Sequence, residues 1–209
     1  MTDNLISNVL AGTLFLVSLF ISIRAFYTYA KVQNPRLFIL GVSMGMIALT
    51  AAADFTASNT TLPINTDWFL FIGQAVSLLF ILLSLAGSSD TYLHRLMRLH
   101  VFTSVAALCL LFLSPTLPGL DNTLLQVLLS GSRSVLCLLI SFYYLSAFLG
   151  KQTRFSLLMS GAFLLLGFGY LLITQKFAVL DPNQTLFDNA GDVLRIGGLL
   201  ALLAAVLVG

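Results

Sequence analysis

Seven apolar runs, each about as long as a bilayer is thick, limit what this chain can fold into. They cover residues 5–29, 37–57, 68–86, 96–113, 123–149, 155–174 and 187–208. About 20 apolar residues carry a helix across the hydrocarbon. At roughly 30 residues per helix and turn, 209 residues are used up by seven spans. The expected fold is an all-α integral membrane protein, a single seven-helix bundle over 1–209. The first run is long and lacks a basic leader, so it reads as the first transmembrane helix rather than a cleaved signal. The seventh run closes close to Gly209. The sequence is then either only a membrane part or stops where a further domain would begin.

Charge supports the same class. Charged residues make up 9% of the chain, against about 25% in soluble domains. Eighteen ionic side chains, 10 basic and 8 acidic, cannot build a water-facing surface. The composition excludes a disordered chain, a nucleic-acid binder and a disulfide scaffold. All the acids are Asp, so motifs that need Glu, such as the His-Glu-x-x-His zinc helix, are absent. Cys109 and Cys137 fall inside apolar runs and read as small buried hydrophobes.

Short links rich in turn formers join the runs, which makes sequential helices adjacent and antiparallel. Basic residues set the orientation. With the N-terminus outside, the inner loops hold Arg24, Lys31, Arg36, Arg95, Arg98, Lys151 and Arg154, and the outer segments only Lys176. Asp3, Asp67, Asp121, Asp181 and Asp188 fall outside. Trp68 reads as an outer anchor, and Tyr27, Tyr29, Tyr92, Tyr143 and Tyr144 as inner ones. The expected location is the cell membrane, N-terminus outside and C-terminus cytoplasmic. Asn59-Thr60-Thr61 and Asn183-Gln184-Thr185 match the glycosylation acceptor pattern on outer loops.

A weak internal repeat runs through the chain. Phe69-x-x-x-Gly73-Gln74 matches Phe187-x-x-x-Gly191-Asp192, and Lys31…Arg36-Leu37 matches Lys151…Arg154-Phe155. The pattern predicts two related triplets, helices one to three and five to seven, with helix four as linker. Both triplets start outside, so the repeat is parallel. Gly41-x-x-x-Gly45 with Ala48-x-x-x-Ala52 gives helix two a small-residue face for internal packing.

Charges within spans are the best functional pointers in such a chain. Asp54, Arg133, Asp192 and Arg195 lie there, each costing about 3 kcal/mol at mid-membrane on insertion scales. Arg133 sits roughly 15 Å into its helix, Asp192 and Arg195 roughly 7 and 12 Å into theirs, at 1.5 Å per residue. Gln74 lies at a similar outer depth. The expectation is a polar pocket reached from outside, between helices two, three, five and seven. Arg133 and Arg195 hold a polar or anionic ligand group there, and Asp54, Gln74 and Asp192 orient them. The competing readings are a buried ion-pair network and an ion path. His94 and His100 are expected in an inner loop and at the foot of helix four. Six residues apart, about 240° of rotation, they do not share a ligand. No metal, cofactor or catalytic group is expected.

The N-out seven-helix layout resembles microbial rhodopsins, G-protein-coupled receptors and the three-plus-one-plus-three sugar transporters in architecture alone. A retinal pigment needs a lysine in helix seven, and Lys31, Lys151 and Lys176 all lie elsewhere. The receptor signatures Asp-Arg-Tyr and Asn-Pro-x-x-Tyr are missing, as are the transporters' prolines in helices one and five. Asn189-Ala190-Gly191-Asp192 resembles the Gly-x-Gly-Asp of intramembrane aspartyl proteases without its first Gly. The expected function is a non-enzymatic sensory or ligand-binding module. It signals through a membrane-protein partner or second copy at the inner face. A small-solute transporter and an accessory subunit of a larger membrane complex are the alternatives.

Overall fold

The computed structural model describes residues 2–59, 65–87, 89–120, 122–178 and 184–208, with side chains for 9–57, 65–87, 89–120, 122–175, 186–187 and 189–208. The side chains of both glycosylation acceptor patterns, residues Asp121 and Asp181, and the side chains of Asp3, Lys176 and Asp188 lie outside these. The described chain forms the helices α1 (Thr2–Val32), α2 (Pro35–Asn59), α3 (Asp67–Ala86), α4 (Asp90–Leu113), α5 (Thr123–Lys151), α6 (Arg154–Ala178) and α7 (Gln184–Val208), joined by short links. No strand occurs among the described residues. All seven helices contain a stretch long and apolar enough to cross a membrane. In hydrocarbon a helix satisfies its own backbone, which is why these runs fold this way.

Helix ends follow local chemistry. The Asn122 side chain accepts from the backbone N–H groups of Leu124 and Leu125 and caps α5. The Asn34 side chain accepts from Arg36 N at 3.0 Å as α2 starts with Pro35 in its first turn. α4 begins at Asp90, well before the apolar run at Leu96, because its polar first turns lie beyond the stretch that hydropathy detects. A 3-10 turn, Ser114–Thr116, ends it at Pro115.

The chain forms two compact units. The first is Leu14–Gly119. Here α2 packs on α3 and α4, and α3 on α4. Ile39, Phe80, Leu93 and Leu96 form one core cluster, and Met46, Phe69 and Ala107 another. The glycine face of α2 turns to α1. A Cβ at Gly41 would stand 3.1 Å from the Phe26 ring, and one at Gly45 3.1 Å from Ser22 Oγ. Ser22 Oγ donates to Gly41 O at 2.8 Å. α1 ends at Gln33 in the left-handed region, φ 54°, with Gln33 N donating to Tyr29 O at 2.7 Å.

The second unit is Met1–Thr13 with Leu120–Gly209. α6 packs on both α5 and α7. Ser141 Oγ donates to Ser160 O at 2.8 Å and Ser160 Oγ returns a bond to Ser141 O at 3.1 Å. Ser134 Oγ donates to Gly167 O at 2.8 Å. Glycines bring α6 and α7 close together. A Cβ at Gly169 would stand 2.8 Å from Gly191 O, and one at Gly198 2.9 Å from Ala162 O. α5 ends at Gln152, φ 49°, whose N–H donates to Phe148 O at 2.7 Å.

Candidate functional site

An arginine ten residues into α5 must find partners or leave the hydrocarbon. Arg133 stays, 3% exposed. Its guanidinium carbon lies 4.7 Å from the centroid of the Tyr170 ring on α6. Arg195 of α7 lies 4.8 Å from the same centroid. Two cations therefore share one aromatic ring, each in cation–π range. Arg195 Nη1 also donates to Asp192 Oδ1 at 3.1 Å, a bridge between residues three apart on one helix face. Arg133 Nη2 reaches Ser130 Oγ at 3.4 Å.

Packing sets this geometry. Gly169, just before Tyr170, leaves room for the stem of Arg195, whose Cγ would lie 2.6 Å from a Cβ at that position. α7 can then approach α6 closely enough for its arginine to reach the Tyr170 ring. α5 is fixed in register beside α6 by the Ser134–Gly167 and Ser141–Ser160 bonds.

Arg133, Asp192 and Arg195, three of the residues expected at the site, thus come together within the second unit. Gln74 belongs to the first unit, where its Nε2 donates to Thr50 Oγ1 at 3.2 Å and its side chain is buried. Asp54 is in that unit too, one turn beyond Thr50 on α2 and partly buried. Sequence reasoning missed Tyr170. One aromatic in an apolar helix gives no signal alone, although Gly167-Phe168-Gly169-Tyr170 marks a close helix approach beside a ring with a polar tip.

Two clefts have linings that include none of Arg133, Tyr170 and Arg195. One of about 480 Å³ in the first unit is lined by Leu49, Thr56, Thr66, Phe112 and Ser114 among others. Another, of about 770 Å³, runs along Leu186, Asn189, Ala190, Val193 and Leu194 of α7. Among the described residues no group of three or more His, Cys or Asp side chains is placed to hold a metal.

Fold and site define a multi-pass helical membrane protein with a two-arginine, one-tyrosine cluster inside its apolar spans. No protein-family model, curated protein or solved structure matches the chain.

Proposed function

We propose that the protein is a non-enzymatic membrane module that binds a small ligand through an anionic group at Arg133 and Arg195. The observation that carries this reading is the shared ring. Two guanidinium groups repel each other, and an oxoanion accepting from both offsets that repulsion with charge-assisted hydrogen bonds. Asp192 orients Arg195 in this reading, and Tyr170 sets the angle between the two donor forks. Binding draws α5 and α7 toward α6, and a partner in the membrane reads the shift at the basic helix ends.

The excess of basic residues at those ends supports a cytoplasmic position for them, with the N-terminus outside the cell. The three-plus-one-plus-three parallel repeat is part of the same reading. Three pairs, each 119 positions apart, support it: Ser22 and Ser141 as donors, Gly41 and Ser160 as acceptors, and Gln33 and Gln152 as left-handed helix ends. Gly73 and Gly191, 118 positions apart and so one residue out of that register, are close-approach glycines on α3 and α7. A Cβ at Gly73 would meet Thr50 at 2.9 Å, and one at Gly191 would meet Gly169 O at 3.0 Å. Thr50 and Gly169 are again 119 apart.

A structural role is the second reading, and the Asp192–Arg195 bridge favours it. Native mass spectrometry from mild detergent separates the two. Binding predicts a small anionic adduct on the wild-type chain, or a thermal shift with phosphate, sulfate or a simple carboxylate. Both should vanish in Arg133→Ala and in Arg195→Ala. A chain that carries no adduct, ignores all three anions and co-purifies with other membrane subunits has the structural role instead.

A further inference from the structure

We propose that the first unit holds a bound water molecule between His100 and Ser104, on the apolar part of α4. His100 lies ten residues from the start of α4, about 15 Å along the helix. Its ring is fully buried. One face stacks on Phe80 of α3, with centroids 4.1 Å apart and planes at 20°. Nε2 lies 2.9 Å from Ser43 Oγ of α2. The ring is therefore fixed by α2 on one edge and α3 on one face.

The other edge has no such partner. His100 Nδ1 and Ser104 Oγ are both buried without a hydrogen bond to any described group. Either tautomer leaves Nδ1 with a demand. If Ser43 donates to Nε2, Nδ1 carries the proton and needs an acceptor. If Nε2 donates to Ser43, Nδ1 needs a donor. An orphaned buried polar group costs about 1–3 kcal/mol. Residues four apart on a helix share a face with Cβ atoms about 5–6 Å apart, so one small polar molecule can serve both orphans. Water donates and accepts, so it satisfies Nδ1 in either tautomer and the Ser104 hydroxyl as well. His100 is fully buried and Ser104 only 7% exposed, so the occupant must be very small. A polar, enclosed pair of orphans is the setting in which buried waters are found. The result is a chain of hydrogen bonds, Ser43 to His100 to water to Ser104, joining α2 to α4.

The chain has only two histidines, so ¹⁵N-histidine labelling reads the site directly. His94→Gln removes the exposed one. In lipid nanodiscs, magnetisation from water protons should reach the His100 ring at Nδ1 although the residue lies inside the apolar span. Ser104→Ala should weaken that transfer several-fold. Ser43→Ala should move the Nε2 resonance and leave the transfer in place. A wild-type ring that receives no magnetisation from water overturns the proposal. So does a direct coupling between Nδ1 and the Ser104 hydroxyl, or a transfer that Ser104→Ala leaves unchanged.

Discussion

Gln33 and Gln152 adopt the same backbone conformation at the same place in two helix–helix turns. Their φ angles are 54° and 49°, and they are the non-glycine residues with positive φ among those described. Each N–H donates to the carbonyl four residues back, both at 2.7 Å. A left-handed residue at this point lets the chain leave one helix and enter the next within two residues. Glycine is the usual occupant, since a Cβ crowds the following carbonyl oxygen there.

Replacing either glutamine by glycine should therefore stabilise the protein. The gain is the relieved crowding, about 1 kcal/mol, less the extra backbone entropy of glycine in the unfolded chain. A net rise of roughly 0.5 kcal/mol is expected at each site. Reversible unfolding in mixed micelles would measure it. Gln33→Val and Gln152→Val should both destabilise, because a β-branched residue tolerates positive φ least.

The α6–α7 contact gives a sharper contrast between glycines. Gly169→Ala puts a methyl 2.6 Å from Arg195 Cγ and 2.8 Å from Gly191 O. The backbone oxygen cannot swing aside, so α7 must move, at about 1–3 kcal/mol. Gly161→Ala, also on α6, meets nothing within 4 Å. It should instead gain up to about 1 kcal/mol of helix propensity. Thermal unfolding of the two variants should move in opposite directions. If both fall equally, the close approach at Gly169 is not what holds these helices.

The membrane spans were legible in the sequence because the bilayer imposes one length on every apolar run. Contacts between distant helices were not. Arg133, Asp192 and Arg195 stood out, since ionised groups in hydrocarbon are costly wherever they sit. The ring that unites two of them did not, because one tyrosine in an apolar helix carries no sign of what faces it. His100 shows the same limit. Its place at the foot of the apolar run was legible, but not its packing: the residue is fully buried, with its ring against Phe80 and Ser43. Gln74 was legible as a polar residue in a span, but its bond to Thr50 joins residues 24 apart with no local signature.

Tyr170 should matter through its ring first. Tyr170→Phe keeps the aromatic face that both guanidinium groups approach, whereas Tyr170→Leu removes it. Each desolvated cation–π contact contributes up to about 2 kcal/mol. The leucine variant should thus be less stable than the phenylalanine variant by roughly 1–3 kcal/mol, the two contacts not being additive. Unfolding of the three proteins side by side would give that difference. Equal stability of the phenylalanine and leucine variants would remove the ring from the account of the site.

The serine bonds test the repeat. Ser22→Ala deletes the hydroxyl that bonds Gly41 O, and Ser141→Ala the one that bonds Ser160 O. Interhelical hydrogen bonds in membranes average about 0.6 kcal/mol, so each variant should lose about that much. The units then differ in one respect. Ser160 returns a bond to Ser141 O, which Gly41 has no hydroxyl to do. Ser160→Ala should therefore cost a similar amount, and the Ser141→Ala, Ser160→Ala double variant more than either alone. Equal losses at Ser22 and Ser141 are what two copies of one helix contact require. A cost at Ser141 with none at Ser22 would mean that the matching geometry is not matched in energy, and the repeat reading would lose its strongest support.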